Sequence, residues 1–336
     1  MSETYIIAEA GVNHDGNLDA AISLVEQAAL SGADCVKFQT FTADELVSHD
    51  TPKAAYQIDS TTPEEGQREM LRKLELTKED FVVLVKACRS NNIDFLSTPY
   101  GYSDLEYLVK LGAKRLKLAS IHCFEPSMIR LAAKQDLPVI LSTGMATIDD
   151  IALAVQSFGQ SRNKFLTLLH CVSAYPVSDD EANINAMHHL SERFGLPVGY
   201  SDHALGILPS VIAVAKGARV IEKHFTLNRL ARGPDHAASL EPNDFSDLVV
   251  QIRRAEILGG NGKKVPQPSE LENAKVVRRS LVAARNITKG EEISETAIAL
   301  KRPLAGIPAQ LLDQIIGRCA AKNIVAGESI CWAHID

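Results

Sequence analysis

The sequence predicts a (β/α)8 TIM barrel followed by a small C-terminal β-rich domain. Three observations carry that reading. Eight short apolar or β-branched runs alternate with amphipathic segments, no run leads into a convincing GxGxxG turn, and the alternation stops at a Gly- and Pro-rich stretch after Leu258. Alternation of this kind means parallel strands with crossover helices. A count of eight without a dinucleotide-binding turn favours a closed barrel over a doubly wound open sheet.

In chain order the expected strands are 5–10, 35–40, 95–98, 115–118, 139–143, 165–170, 198–201 and 220–224. Helical periodicity fills the gaps: residues 19–30 carry it in Ala20, Ile22, Leu24, Val25 and Ala28, and similar patterns run over 78–89, 103–111, 148–158, 208–216 and 244–258. Residues 1–260 are therefore assigned to the barrel. Gly259 to Pro268 reads as the start of a linker by its Gly, Pro and polar content, set at 261–277. Beyond it, 278–336 carries short strand-like pieces and one internal repeat, Asn286-Ile-Thr-Lys-Gly-Glu-Glu-Ile293 against Asn323-Ile-Val-Ala-Gly-Glu-Ser-Ile330. Two copies imply a pseudo-symmetric small domain.

Composition narrows the function class. With 46% hydrophobic and 23% charged residues, and no apolar run of membrane-spanning length, the chain is neither disordered nor expected in a membrane. The N-terminus enters a strand without a basic flank or cleavage site, so the expected location is the cytoplasm. Cysteines 35, 88, 123, 171, 319 and 331 form no CxxC pair and read as reduced, mostly structural thiols. A formal charge of -7 with scattered Lys and Arg excludes a nucleic-acid partner.

Barrel chemistry sits at the C-terminal strand ends, and period-two alternation decides which side chains face the mouth. By that parity Glu9 faces inward with Ile7, and Lys37 and Gln39 do so while Val36 and Phe38 face the helices. Thr98, Lys117, Ser142, His170, Ser201, His203, Glu222 and His224 follow from strands three to eight. Any one of these is as readily a solvent-facing strand end, but every strand supplies one. An inward Lys in an apolar strand costs several kcal/mol unless an anion or carboxylate offsets it, so Lys37 and Lys117 imply a bound phosphate or carboxylate. His203 and His224, at neighbouring strand ends, are either two ligands of one divalent ion or hydrogen-bonded core histidines. Imidazole with oxygen donors admits Mn, Co, Fe or Zn and suits Mg less. His14, His49, His188, His189 and His334 read as loop or surface residues.

These residues lie in a longer pattern: Ile7-Ala-Glu-Ala-Gly-Val-Asn-His-Asp-Gly16, Gly32-Ala-Asp-Cys-Val-Lys-Phe-Gln-Thr40, Leu96-Ser-Thr-Pro-Tyr100, Ile140-Leu-Ser-Thr-Gly-Met145, Leu168-Leu-His-Cys-Val-Ser-Ala-Tyr-Pro176, Gly199-Tyr-Ser-Asp-His203, Glu222-Lys-His-Phe-Thr226 and Gly233-Pro-Asp-His-Ala-Ala-Ser-Leu-Glu-Pro242. Over the whole chain this resembles the sialic acid synthase family. The C-terminal part, with Arg279-Ser-Leu and Lys301-Arg-Pro303, resembles that family's antifreeze-like (SAF) domain.

The resemblance implies condensation of phosphoenolpyruvate with an N-acetylmannosamine-type aldehyde and water, with C–O cleavage of the phosphoenolpyruvate, to give a nine-carbon acid and phosphate. It assigns phosphoenolpyruvate to Lys37, Thr98, Lys117, Ser120, Ser142 and Ser201. The metal goes to His203 and His224, with Mn2+ expected and Co2+ or Mg2+ as alternatives. The sugar goes to Glu9, Gln39, Tyr175 and Asp235, and to Arg302 from the second subunit of a domain-swapped homodimer. Glu9 either transfers protons or orients sugar hydroxyls. After Ser120 the family has an acidic residue that touches the sugar, whereas here Ile121 and His122 follow; His122 is therefore expected at the mouth, facing the sugar. The loop after Pro303 also lacks the family's Gly. These departures keep three alternatives open: a legionaminic- or pseudaminic-type synthase, an eight-carbon acid synthase, which would not need the C-terminal domain, and a non-catalytic carbohydrate-binding paralogue.

Overall fold

A computed structural model describes residues 3–48, 51–54, 57–58, 61, 65–159 and 165–336. The chain divides into two compact units, 1–260 and 261–336. In the first, eight parallel strands are β1 (Tyr5–Gly11), β2 (Cys35–Thr40), β3 (Asp94–Pro99), β4 (Leu116–Leu118), β5 (Val139–Ser142), β6 (Leu166–His170), β7 (Val198–Asp202) and β8 (Val220–His224). They hydrogen-bond in the order β3-β2-β1-β8-β7-β6-β5-β4, and β3 packs beside β4, so the sheet curls into the TIM barrel.

The alternation read from sequence separates two cores. Ile6, Ala8, Val36, Phe38, Leu116, Leu118, Leu168, Tyr200 and Ile221 join the helices in the outer layer. Ile7, Cys35, Leu96, Ile140, Leu169 and Val220 fill the barrel interior below the mouth. Gly199 is required there, because a Cβ at that position would lie 2.3 Å from the Val220 carbonyl oxygen and 2.7 Å from Leu169. On β6 the expected parity is wrong. Leu169 is inward, so His170 points outward, its Nε2 2.9 Å from the Ala182 carbonyl oxygen and its ring 5.8 Å from Tyr200. Consecutive leucines at 168 and 169 leave no polar-apolar contrast from which to read the face.

Between β2 and the helix Lys78–Ser90 the chain leaves the barrel and adds short helices, Ala43–Leu46 and Gln67–Lys73. Phe41, Met70 and Leu74 of this excursion form a separate apolar cluster with Val12, which follows β1, and with Leu46, Leu71 and Tyr100. All six cysteines are free. Among the described residues, no helix is long and apolar enough to cross a membrane.

The second unit opens with a helix, Pro268–Val277, inside the stretch expected to be linker. Pro268 at its first position starts it, with Gln267 N–H donating to Glu270 Oε2 at 2.7 Å. It buries no residue, so it carries no periodicity to detect. Antiparallel strands β9 (Ser280–Ala283) and β10 (Ile298–Lys301) follow, around a core that includes Leu281, Ile287, Ile293, Ile324 and Ile330. The internal repeat is a structural one. Ile287 and Ile324 exchange both backbone hydrogen bonds at 2.9 Å, and Asn323 Oδ1 accepts from Lys289 N–H while Asn286 Oδ1 accepts from Ala326 N–H, each at 2.8 Å.

Candidate active site

A cavity of about 370 Å³ opens at the C-terminal strand ends, lined by Glu9, Lys37, Gln39, Thr98, Lys117, Tyr175, His203, His224 and Asp235 among the residues expected there. Register explains the convergence: Glu9 on β1 pairs with Lys37 on one side and His224 on the other, Gln39 with Thr98, and Ser201 with Glu222.

The floor is a network of charges with at most 5% exposure. Lys37 Nζ lies 2.6 Å from Glu9 Oε2 and donates to Thr98 Oγ1 at 3.1 Å. Lys117 Nζ donates to Ser142 Oγ at 2.6 Å. Glu222 stands between the lysines, 3.7 Å from each, and accepts from Ser201 Oγ at 2.9 Å. Burial pushes the Glu9 carboxyl up, with the nearby Glu222 charge adding to it against the pull of Lys37. For Glu222 burial acts upward too, but Lys117 and Lys37 outweigh it and hold the group ionised. Burial draws Lys117 down, and an arriving anion would favour its charged form, so the floor is receptive to an anion. Gln39 Nε2 approaches Glu9 Oε1 at 3.5 Å.

The imidazoles of His203 and His224 have centroids 5.6 Å apart, with the Tyr175 ring 4.2 Å from the first and 5.6 Å from the second. His203 donates Nδ1–H to the Val172 carbonyl at 2.6 Å, which turns its unprotonated Nε2 toward Ser201 Oγ, 3.3 Å away. His224 Nδ1 is buried without a hydrogen-bond partner, 3.8 Å from Asp235 Oδ2. Burial holds His203 down to about 4 and His224 well below the ordinary range, and lifts Asp235 to about 6. Neutral imidazoles with an available nitrogen fit a divalent ion. Among the described residues no group of three or more His, Cys, Asp or Glu is placed to hold an ion; an ion here would rest on the two imidazoles, with its other positions open.

Three expected residues stand behind the lining. Ser142 and Ser201 hold Lys117 and Glu222, as above. Ser120 Oγ lies 3.5 Å from Cys171 Sγ. A Cβ at Gly144 would come within 2.3 Å of Ser120 Oγ and 2.5 Å of Ser173 Oγ, so glycine at 144 lets two hydroxyls and a backbone approach one point. His122 does not face the cavity. It is fully buried, its Nδ1 accepting Ala119 N–H at 2.9 Å and its Nε2 4.0 Å from Glu125 Oε2, so its role is to cap the short 3-10 turn Ser120–Phe124; Ile121 takes the place on the wall. Arg302 is exposed in the second unit. Of the histidines expected in loops or at the surface, His188 and His189 are exposed, His14 and His334 are buried in turns, and His49 lies outside the described residues. His14 accepts Gly16 N–H at its Nδ1, and His334 Nδ1 faces Cys331 N–H, each serving a local turn.

Residue-level reading of the sequence missed the upper wall. It is apolar, built from Val12, Leu46, Val47, Met70, Leu71 and Leu74, with the amides of Gln57 and Gln67 paired at 3.2 Å among them. Apart from Val12, which follows β1, these come from the excursion after β2, where no strand parity applies. Glu222 was legible as inward, but nothing in its spacing marked it as the bridge between two lysines.

Residues 24–264 match the NeuB family model, and 278–336 match the SAF domain. The chain belongs to the NeuB family. It is 43% identical to the N,N'-diacetyllegionaminic acid synthase of Legionella pneumophila, covering 99% of this chain and 94% of that protein, and 44% identical to the synthase of the same name from Campylobacter jejuni, covering 98% and 99%. Among solved structures, the N-acetylneuraminic acid (sialic acid) synthetase of Leptospira borgpetersenii in complex with citrate superposes with a TM-score of 0.73 at 35% identity, over 81% of this chain and 90% of that one.

Proposed function

We propose that this enzyme, a synthase of the NeuB family, condenses phosphoenolpyruvate with a di-N-acetylated hexose aldehyde and water, giving a legionaminic-type nine-carbon acid and phosphate in the cytoplasm. The observation that carries this reading is the division of the cavity into two zones. A charged floor of Lys37, Lys117 and Glu222 suits a small polyanion, and an apolar wall interrupted by two glutamine amides suits acetamido groups, each an amide ending in a methyl. A hydroxyl-rich acceptor would leave that wall unmatched.

In the reaction the methylene carbon of phosphoenolpyruvate bonds to the aldehyde carbon, water adds at the enol carbon, and the phosphate leaves with the C–O electron pair. Lys37 and Lys117, steadied by Thr98, Ser142 and Glu222, bind the anion and stabilise charge on the leaving group. Glu9, whose carboxyl burial pushes up, holds the proton that the aldehyde oxygen gains. A divalent ion on His203 and His224, with Mn2+ the expected occupant, would polarise that oxygen when bound. Tyr175, Gln39 and Asp235 position the sugar. Arg302 is proposed to act at the cavity of a partner subunit in a swapped homodimer.

Phosphate release from phosphoenolpyruvate with a panel of mono- and di-N-acetylated hexoses and a phosphorylated pentose tests the assignment. The di-N-acetylated mannose-type sugar is expected to give the highest kcat/KM, with a nine-carbon product by mass spectrometry. Preference for N-acetylmannosamine would make it a sialic acid synthase, and absence of turnover with every sugar would leave a carbohydrate-binding paralogue.

A further inference from the structure

His203 and His224 face the cavity, so the residues beside them on the strands face the opposite way, into the layer between sheet and helices. Asp202 and Lys223 occupy those positions and are register partners across β7 and β8. Lys223 Nζ lies 3.2 Å from Asp202 Oδ2, and both side chains are wholly inaccessible to solvent. The helix Leu208–Ala215, packed over them, contributes Ser210 Oγ, which donates to the same Oδ2 at 2.6 Å. The remaining Asp202 oxygen accepts Ala204 N–H at 2.9 Å, and Lys223 also donates to the Ala204 carbonyl. Both backbone polar groups of the residue after His203 are thus held by this pair, while the His203 carbonyl accepts Val177 N–H at 3.0 Å.

Stability alone does not account for such a pair. Removing two charges from water offsets most of their attraction, and well-packed apolar residues of similar volume are often as stabilising or more so. Tyr200, Ile221 and Phe225 show that this layer readily takes apolar side chains. What an apolar pair would not provide is direction, since dispersion contacts do not fix the angle of a strand end. The ion pair locks β7 to β8 at the step where each turns one imidazole into the cavity. We propose that Asp202 and Lys223 are positioning residues that set the spacing and orientation of His203 and His224, and through them the affinity of the cavity for a divalent ion. This rests on the reading that those two imidazoles hold the ion.

The test is Mn2+ titration, followed by electron paramagnetic resonance, of the full-length parent, His203→Ala, the double variant Asp202→Leu/Lys223→Met, and Asp202→Asn. Thermal melts and phosphoenolpyruvate calorimetry in chelator monitor the fold and the anion floor separately. His203→Ala is expected to lose Mn2+ binding. The double variant is expected to melt at or above the parent, bind phosphoenolpyruvate as the parent does, and yet bind Mn2+ about tenfold or more weakly, as outer supports of metal ligands do. Asp202→Asn keeps the shape of the side chain, is expected to weaken Mn2+ severalfold, and decides the matter if the double variant fails to fold. Parent-like Mn2+ affinity in a folded variant of the pair overturns the positioning role. Parent-like affinity in His203→Ala overturns the premise about the imidazoles, and the proposal falls with it.

Discussion

Glu9, Lys37 and Lys117 lie at 2–3% exposure on a cavity floor, where ionised groups survive only through their partners. That dependence separates binding roles from proton-holding ones. Glu9→Gln preserves the shape and hydrogen-bonding reach of the side chain but cannot release a proton, so kcat is expected to fall by about a hundredfold with KM little changed. A rise in KM at constant kcat would instead make Glu9 an orienting residue. His203→Ala or His224→Ala is expected to lower kcat/KM at least about a hundredfold, roughly 2.7 kcal/mol of transition-state stabilisation, and chelator should abolish turnover until Mn2+ or Co2+ is restored. Full activity in excess chelator would remove the metal from the reaction. Strand parity made Glu9, Lys37 and Lys117 legible because apolar neighbours fixed the face, and His203 and His224 by counting two residues on from Ser201 and Glu222. It failed at His170, where leucines occupy both faces, and could not apply at His122, which leaves its strand for a tight turn. Burial holds both His14 and His122 down to about 4. The unfolded chain takes up these protons near the ordinary value of about 6.5, so it binds more protons than the folded one below that pH. Stability is therefore expected to fall as pH drops from about 6.5 to 4, by on the order of 3 kcal/mol per group. Denaturant midpoints that stay level from pH 7 to 5, or drop as steeply in a His122→Gln variant, would contradict this.

Strands and the excursion after β2 contribute different things to the cavity. The strands deliver single polar side chains from a rigid ring; the excursion delivers a surface, in which Met70, Leu71 and Leu74 from the region of one short helix act together. Leu71→Gln places an amide in that surface without touching the floor. It is expected to narrow the preference for di- over mono-acetylated acceptors by about tenfold while phosphoenolpyruvate affinity holds; an unchanged ratio of kcat/KM values would detach the wall from acceptor choice. The excursion was illegible because its apolar residues follow neither a strand nor a long helix period. For the opposite reason the helix Pro268–Val277 escaped notice: it has helix-forming residues and caps but no buried face.

At the scale of the whole molecule, the boundary at 260 and 261 coincides with the Gly-rich stretch that ends the alternation, so the division was legible from composition. A catalytic part for the second unit is a proposal that rests on Arg302 and the family resemblance alone. If Arg302 acts in trans, mixing Lys37→Ala with Arg302→Ala and allowing subunits to exchange produces heterodimers with one intact site and one doubly damaged site. About a quarter of parental activity is then expected from an equimolar mixture. Activity no higher than that of the separate variants would place Arg302 in its own chain's site or outside both.

The repeat in the second unit has a further consequence. Each glycine turn, at Gly290 and at Gly327, has a backbone N–H nearby that is closed by the asparagine of the other copy: Asn323 serves the first turn and Asn286 the second. The two halves are hostages to one another. Damage to Asn286 is felt at the far turn, 40 residues away in sequence, and neither half retains its full set of bonds without the other. Unfolding of this small unit should accordingly be a single event, with no surviving half to act as a refuge or a seed.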